Sequence, residues 1–308
     1  MSDTSSSDRP APALAREHLA GRLALTAAAL FWSGNFVAGR ALRDSVDPMT
    51  LNALRWTIAL AILAPFVARA LWASREVLRA HAGLILWLSL TGVIGFQVLV
   101  YKALAQIPVV NAVLMLATMP VVILAMAAIG QRRGIPIMGW LAVMLSILGV
   151  AVLLTEGDLS ELLGARLGTG DLWMLGAVVL WSIYTLLLRR RPRALSGNVL
   201  VLAMIVPAMP VLIAAAVQWG VTDFAALSRL QWSVVVYIGV FPSLLAFLAW
   251  NYGVAKVGPE AAGFFINLMP VFATVLAWLL LGETISIPQL AGGGLIVLGL
   301  VLSQRVTG

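Results

Sequence analysis

Tyr101-Lys102-Ala103-Leu104 opens a stretch that runs on to Thr118-Met119-Pro120-Val121-Val122. Asn251-Tyr252-Gly253-Val254 opens a second that runs on to Leu268-Met269-Pro270-Val271-Phe272. The two Met-Pro pairs stand about 150 residues apart, close to half the chain, which is the signature of an internal duplication. Trp32-Ser33 and Trp181-Ser182 recur at nearly the same offset. Each half carries an odd number of long apolar runs. A duplicated unit with an odd number of membrane crossings must insert its second copy upside down.

Composition fixes the solvent. Of 308 residues, 61% are hydrophobic and 11% charged, against roughly 25% charged in soluble domains. That much apolar surface needs lipid, so the chain reads as an all-α polytopic membrane protein. Cysteine is absent, which removes disulfides, thiolate metal sites and cysteine nucleophiles. The net charge of +7 comes from basic residues in short loops between apolar runs, a mark of membrane topology rather than of nucleic-acid binding. Residues 1–20 are a Ser/Asp/Pro/Ala tail without the basic start and cleavage site of a signal peptide.

Ten apolar runs are visible, at 22–40, 48–72, 82–103, 108–129, 135–154, 170–191, 196–219, 230–255, 259–281 and 287–304. Each is near the roughly 20 residues a helix needs to cross the hydrocarbon, and strand alternation is absent. Pro108 and Gly258-Pro259 mark tight hairpins. With the N-terminus inside, Arg69, Arg75, Arg79, Arg132, Arg133, Arg189 to Arg191, Arg193 and Lys256 are cytoplasmic, and Arg40, Arg43, Lys102, Arg166 and Arg229 are outside. The positive-inside rule therefore predicts that both termini are cytoplasmic in an inner membrane. The expected organisation is a disordered cytoplasmic tail at 1–21, five helices at 22–154, a linker at 155–169, five inverted helices at 170–304 and a cytoplasmic C-terminus at 305–308. The fold expected is ten transmembrane helices in two inverted repeats around a central cavity.

Polar residues in mid-span need a partner or a wet cavity. Trp32 and Asn35 lie in span 1, Gln97 and Tyr101 in span 3, Trp181 in span 6, Phe247 and Trp250 in span 8, and Asn267 in span 9. They recur at helical spacing and are the candidate substrate-binding residues. Trp32 and Trp181 either line a cavity or pack helices. Asn35, Gln97 and Asn267 either meet substrate or hydrogen-bond between helices. Pro120 and Pro270 each free a carbonyl, of Leu116 and Ile266, either for a ligand or at a simple kink. Trp56, Trp72, Trp87, Trp140, Trp173, Trp219 and Trp232 read as belt residues at the membrane surfaces. Arg55 is the one full charge well inside a span, placed either to snorkel outward or to hold a carboxylate. Gly292-Gly293-Gly294, Gly299, Gly139 and Gly149 read as close helix contacts. His18 and His81 have no metal-ligand neighbours, so neither a metal nor a cofactor is expected. A Ser/His, Asp/Asp or His/Glu set at membrane depth is missing, which argues against an enzyme.

These residues resemble the ten-span EamA-type carriers of the drug/metabolite transporter superfamily. The resemblance rests on Ala29-Leu30-Phe31-Trp32-Ser33-Gly34-Asn35-Phe36-Val37-Ala38, Leu54-Arg55-Trp56, Asn251-Tyr252-Gly253-Val254, Met269-Pro270-Val271-Phe272 and Leu280-Leu281-Gly282-Glu283, with Gly293 and Gly299. It covers residues 22–304 and is narrowest toward bacterial amino-acid exporters, including the aromatic amino acid and paraquat group. It implies a central cavity, alternating access by rocking of one half against the other, a small-molecule substrate and a monomer in the bilayer. The first repeat has Gly130-Gln131 where the second has Gly282-Glu283. Span 1 lacks the glutamate that four-span multidrug relatives use. The runner-up readings are a drug or toxic-cation exporter, a sugar-phosphate or nucleotide-sugar carrier, and a membrane scaffold or receptor without transport.

Overall fold

The computed structural model describes residues 11–40, 42, 45–107, 109–132, 134–162, 168–282 and 284–307. Helices occupy all ten apolar runs. Span 1 is Ala11–Arg40. Span 2 is Pro48–Ala73 and span 3 Ala82–Leu104, joined by the short helix Arg75–Ala80. Span 4 is built from two pieces, Val109–Leu116 and Met119–Gln131. Spans 5 to 9 are Ile137–Leu154, Thr169–Arg190, Gly197–Trp219, Arg229–Val257 and Pro259–Leu280. Span 10 is Ile287–Thr307. Spans 2 to 9 are each long and apolar enough to cross a membrane, and Ile287–Ser303 of span 10 is a shorter apolar helix. Pro108, Glu283 and the first ten residues lie outside the described residues, as do the side chains of Phe36 and Asn111.

The inversion is visible where equivalent helices touch. Spans 5 and 10 hold the same place in the two repeats. A Cβ on Gly292 would stand 2.6 Å from the Gly149 carbonyl oxygen, and one on Gly299 would stand 2.8 Å from that of Ala142. Residue 149 faces 292 while 142 faces 299, so the two helices run antiparallel. Loop contacts sort onto two faces in agreement. Glu17, Gln131, Arg189, Lys256 and Glu260 share one. Ser45, Asp47, Gln106, Glu156, Thr169, Thr222, Gln231 and Gln289 share the other. Asp47 closes this second face: its carboxylate accepts from Met49 and Thr50 N–H, capping span 2, and from the Thr222 hydroxyl beyond span 7. Burial pushes this carboxyl up, but hydrogen bonds from Thr50, Thr222 and Val221 outweigh it and hold Asp47 below the usual carboxylate range.

Packing runs mainly between the repeats rather than within them. Span 1 packs on spans 8 and 9, and, as its repeat image, span 6 packs on spans 3 and 4. Span 2 packs on span 7 and span 5 on span 10, each a helix against its own equivalent. The expected rocking of one sequence half against the other thus meets interlocked halves. The compact clusters are spans 1, 8 and 9 and spans 3, 4 and 6, bridged by the 2–7 and 5–10 pairs.

Irregular segments also come in pairs. Ser89–Gly95 in span 3 and Gly239–Leu245 in span 8 are π-helical. Span 4 breaks at Ala117-Thr118, and span 9 narrows to a 3₁₀ turn at Phe264–Asn267. Pro120 and Pro270 then fall in the first turn of the helices that restart at Met119 and Leu268. A proline there lacks an N–H that has no helical partner anyway. Pro120 thus stands where span 4 restarts after its turn, whereas Pro270 follows the 3₁₀ segment of an otherwise unbroken span 9.

The glycines separate into contact and non-contact positions. A methyl group on Gly292 also meets the Leu153 backbone at 2.6 Å, whereas one on Gly294 meets nothing within 4 Å. Gly292→Ala is expected to lower stability by about 1–3 kcal/mol through overpacking. Gly294→Ala is expected to be neutral or to stabilise by up to about 1 kcal/mol through helix propensity. Thermal unfolding of the purified variants in detergent checks this, and indistinguishable variants would contradict the span 5–span 10 contact.

Candidate substrate site

Trp32 and Trp181 are repeat equivalents, and they meet. Their ring centroids lie 5.2 Å apart, edge to face, the arrangement the aromatic quadrupole favours. A residue that touches its own repeat image marks the pseudo-two-fold axis. Around this pair the remaining rings assemble. Trp32 contacts Phe247 at 6.1 Å and Trp250 at 5.3 Å. Trp181 contacts Phe247, Trp250, Phe96 and Tyr184 at 5.5, 5.8, 4.8 and 5.0 Å. Trp56 adds an edge contact to Phe247 at 4.8 Å.

The irregular helices position these rings. Each π-helix rotates the residues that follow it relative to a regular α-helix. Phe96 follows the first directly, and Phe247 comes two residues after the second. The second also presents a backbone carbonyl: Trp32 Nε1 donates to Pro242 O at 3.0 Å. Between the span 9 3₁₀ segment and the span 4 turn, Asn267 Nδ2 donates to Ala117 O at 3.4 Å. Ala117 and Asn267 are themselves repeat equivalents. Ser33 lies within hydrogen-bond distance of both the Ala29 carbonyl, at 2.7 Å, and the Met269 carbonyl, at 2.8 Å. Its equivalent Ser182 donates only to Val178 O within its own helix.

Of the expected site residues, Trp32, Trp181, Phe247 and Trp250 form one cluster. Asn35 lies less than a turn beyond Trp32, and Gln97 is adjacent to Phe96; both are half-buried and hydrogen-bond to no described residue. Asn267 is buried at the span 4 contact, apart from the rings. Tyr101 is half-buried and neighbours the Arg55 guanidinium. Arg55 does not snorkel: it is 2% exposed, and Nε donates to Ser243 Oγ at 2.5 Å. Trp56 is fully buried in the cluster rather than in the interfacial belt. The other six belt tryptophans are exposed.

Phe96, Trp56 and Tyr184 are cluster members missing from the sequence-based site. Phe96 had a signal. Phe96 and Tyr101 in span 3 repeat as Phe247 and Tyr252 in span 8 with the same internal spacing. Tyr184 hydrogen-bonds Asn251 at 2.5 Å between buried side chains of spans 6 and 8. The indole N–H groups of Trp56, Trp181 and Trp250, together with Thr185 Oγ1 and Asn251 Nδ2, are buried without a protein partner. Buried donors without an acceptor cost about 1–3 kcal/mol each, and they concentrate around these rings.

The two sides of the ring cluster differ. Toward the Glu260 face, spans 1, 8 and 9 are tied to spans 3, 4 and 6 by Tyr184–Asn251 and Asn267–Ala117. Beyond them, Glu260, 4% exposed, accepts from Arg189 Nη2 at 2.6 Å and from Gln131 Nε2 at 3.1 Å. Toward the Asp47 face, no hydrogen bond among described residues joins those two clusters. There Trp32, Asn35, Gln97 and Tyr101 are all half-buried. Hydrogen bonds thus join the two clusters on one side of the rings, and half-buried side chains stand on the other.

The model of the EamA-like transporter family matches residues 19–155 and again residues 168–304. The chain belongs to the EamA-like transporter family. The family lies within the drug/metabolite transporter superfamily, and the protein is a membrane transporter. An uncharacterized transporter of Bacillus subtilis, YyaM, is 22% identical over 293 residues, spanning 94% of this chain and 95% of that one. A probable terminal-alkyne amino-acid exporter of Streptantibioticus cattleyicolor is 28% identical over 293 residues, covering 92% and 93% of the two chains. A solved crystal structure superposes with a TM-score of 0.77 at 22% identity, over 95% of this chain and 98% of the other. That likeness carries the fold.

The contact on the axis is testable without substrate. In a double-mutant cycle of Trp32→Ala and Trp181→Ala, thermal unfolding is expected to show a coupling of about 0.5–1.5 kcal/mol. Strictly additive losses would contradict the direct ring contact.

Proposed function

We propose that the protein exports small zwitterionic or neutral organic solutes, foremost amino acids with apolar or aromatic side chains, across the bacterial inner membrane by alternating access. The observation that carries this reading is the aromatic cluster on the pseudo-two-fold axis, tied by hydrogen bonds toward Glu260 and flanked by half-buried side chains toward Asp47. Inverted repeats around a midplane site are a common transporter architecture, because exchanging the conformations of the two repeats opens the site to the opposite side. Ring faces bind apolar or aromatic parts of a solute. The unpartnered indole and amide N–H groups suit acceptor oxygens. The amino-acid exporter among the relatives supports the substrate class.

In this reading the termini and the Glu260 face are cytoplasmic, and the structure is outward-facing. The moving bodies are spans 1, 8 and 9 against spans 3, 4 and 6. The chain works as a monomer with a small-molecule substrate and the lipid bilayer, without nucleic acid, cofactor or metal, and catalyses no reaction. A sugar-phosphate substrate would call for several buried cations; among the described residues Arg55 is the one buried cation. A buried guanidinium also disfavours toxic cations. No carboxylate stands mid-span to carry a proton, and Glu260 is engaged by Arg189. The carrier therefore needs no obligatory proton exchange.

Counterflow in proteoliposomes tests both parts. Vesicles loaded with unlabelled amino acid should accumulate labelled phenylalanine, tryptophan or leucine transiently, without an imposed pH difference or membrane potential. Trp32→Ala should slow this by about tenfold, the rate equivalent of about 1.4 kcal/mol of lost ring contact. Absence of counterflow across the amino-acid panel would remove the substrate class. Uptake that requires a pH gradient, with the requirement abolished by Glu260→Gln, would overturn the energetics.

A further inference from the structure

Arg55 sits seven residues into span 2, about 10 Å along the helix axis at 1.5 Å per residue. A charge at that depth is costly unless it is paired or functional. Among the described residues it has no carboxylate partner; its neighbours are the Ser243 hydroxyl, the Tyr101 side chain and the Trp56 ring, 6.0 Å from the guanidinium carbon. Ser243 donates its own proton to the Ile238 carbonyl at 2.8 Å, in the i−5 spacing of the π-helix. Its lone pair is thereby turned to Arg55 Nε. Arginine carries five N–H donors. The Nε–H is satisfied by Ser243 and a further donor by the Tyr101 side chain; among the described residues the guanidinium, whose fork fits a carboxylate with two parallel hydrogen bonds, meets no acidic side chain.

The repeat supplies an internal control. Asp47 and Ser196 are the N-caps of spans 2 and 7, each accepting a backbone N–H of its helix. Aligning the two helices on these caps sets Arg55 against Met204. Met204 is fully buried, and its carbonyl accepts from Ser89 in the π-helix of span 3. This mirrors the contact of Arg55 with the π-helix of span 8. The same packing place is thus filled by an apolar side chain in the other half, so packing alone does not demand a charge. Trp56 links Arg55 to Phe247 and so to the ring cluster. Tyr101, hydrogen-bonded to Arg55, is half-buried on the Asp47 side of the rings, which leaves the guanidinium one side chain from that side.

We propose that Arg55 is the anion anchor of the site: it binds the carboxylate of the solute while the tryptophan cluster holds the remainder. The proposal rests on the transport reading above and adds the determinant of substrate charge. One guanidinium, without a second buried cation among the described residues, balances a single carboxylate better than a phosphate dianion. The Ser243–Ile238 bond fixes the anchor's direction from the π-helix, so Ser243 is a positioning residue.

Thermal shift of the purified protein in detergent tests this with a defined panel. L-phenylalanine and L-tryptophan carry both charges. Phenethylamine and tryptamine lack the carboxylate, 3-phenylpropionate lacks the amine, and phenyl phosphate replaces the carboxylate. Carboxylate-bearing compounds should raise the melting temperature of the parent, and the amines should not. Arg55→Met installs the residue of the other half. It should melt at or above the parent without ligand, because a buried charge has been removed, and bind the carboxylates about tenfold more weakly or worse. Arg55→Lys should keep part of the preference. If 3-phenylpropionate acts through Arg55 while the amino acids do nothing, the anchor stands and the amino-acid reading falls. If the amines stabilise the parent and the carboxylates do not, the anchor is wrong, whatever counterflow shows. Phenyl phosphate acting through Arg55 with no carboxylate effect would overturn the assignment. So would no response to any carboxylate, or an unchanged preference in a folded Arg55→Met protein.

Discussion

Hydrocarbon offers the backbone no hydrogen-bond partner, so every N–H and C=O must be met by the protein itself. Among the described residues the spans depart from regular helix in two π-helical segments, at the span 4 turn and in the span 9 3₁₀ segment, and protein groups meet the exposed backbone there. The Trp32 indole answers the Pro242 carbonyl, Ser243 answers Ile238, Asn267 answers Ala117, and Ser33 lies on Met269. At three of these places a side chain from the opposite repeat meets the backbone: Trp32 at Pro242, Asn267 at Ala117 and Ser33 at Met269. The cluster of rings forms at the same place, with Phe96 and Phe247 following the two π-helical segments onto the axial Trp32–Trp181 pair.

Duplication makes these devices recur, and inversion makes them meet. Trp32 reaches Trp181, Ala117 reaches Asn267, and the span 5 glycine reaches span 10. The symmetry is not complete. Ser33 reaches across to span 9 while Ser182 bonds only within its own helix. Among the described residues, hydrogen bonds join the two helix clusters on the Glu260 side and none joins them on the Asp47 side. In the proposed alternating-access cycle, such an unequal use of equivalent positions makes the arrangement of one half available to the other. The pairs of spans 2 with 7 and 5 with 10 stay self-complementary under that exchange, which suits them to act as the frame.

Much of this was legible in the sequence. The Met-Pro and Trp-Ser offsets, with the odd number of apolar runs, carried the inverted ten-span fold, because hydropathy and topology in lipid leave few alternatives. Four of the eight expected site residues, Trp32, Trp181, Phe247 and Trp250, fell into one cluster. Trp56 read as a belt residue because distance from a span end was used in place of helix rotation, which a single sequence does not fix. Of the two readings of Arg55, its burial removes the snorkelling one and leaves the carboxylate one open. The interlocking of the halves was not legible at all, since it depends on which helices pair across the repeat. Phe96 was within reach, through its shared spacing with Tyr101 in the span 3–span 8 repeat.

The central claim is that one set of contacts on the axis serves two states, with spans 1, 8 and 9 moving against spans 3, 4 and 6. The chain has no cysteine, so spin labels can be placed on introduced cysteines alone. Gly130 and Ala255 are exposed on the Glu260 side of the two clusters, and Ala105 and Ser233 on the Asp47 side. Double electron–electron resonance on the two label pairs, in lipid and with a transported solute, measures both sides of the site in the same protein. The account predicts that the Gly130–Ala255 distance lengthens in the population in which Ala105–Ser233 shortens. Distances that change together, or a solute that alters neither, would contradict it.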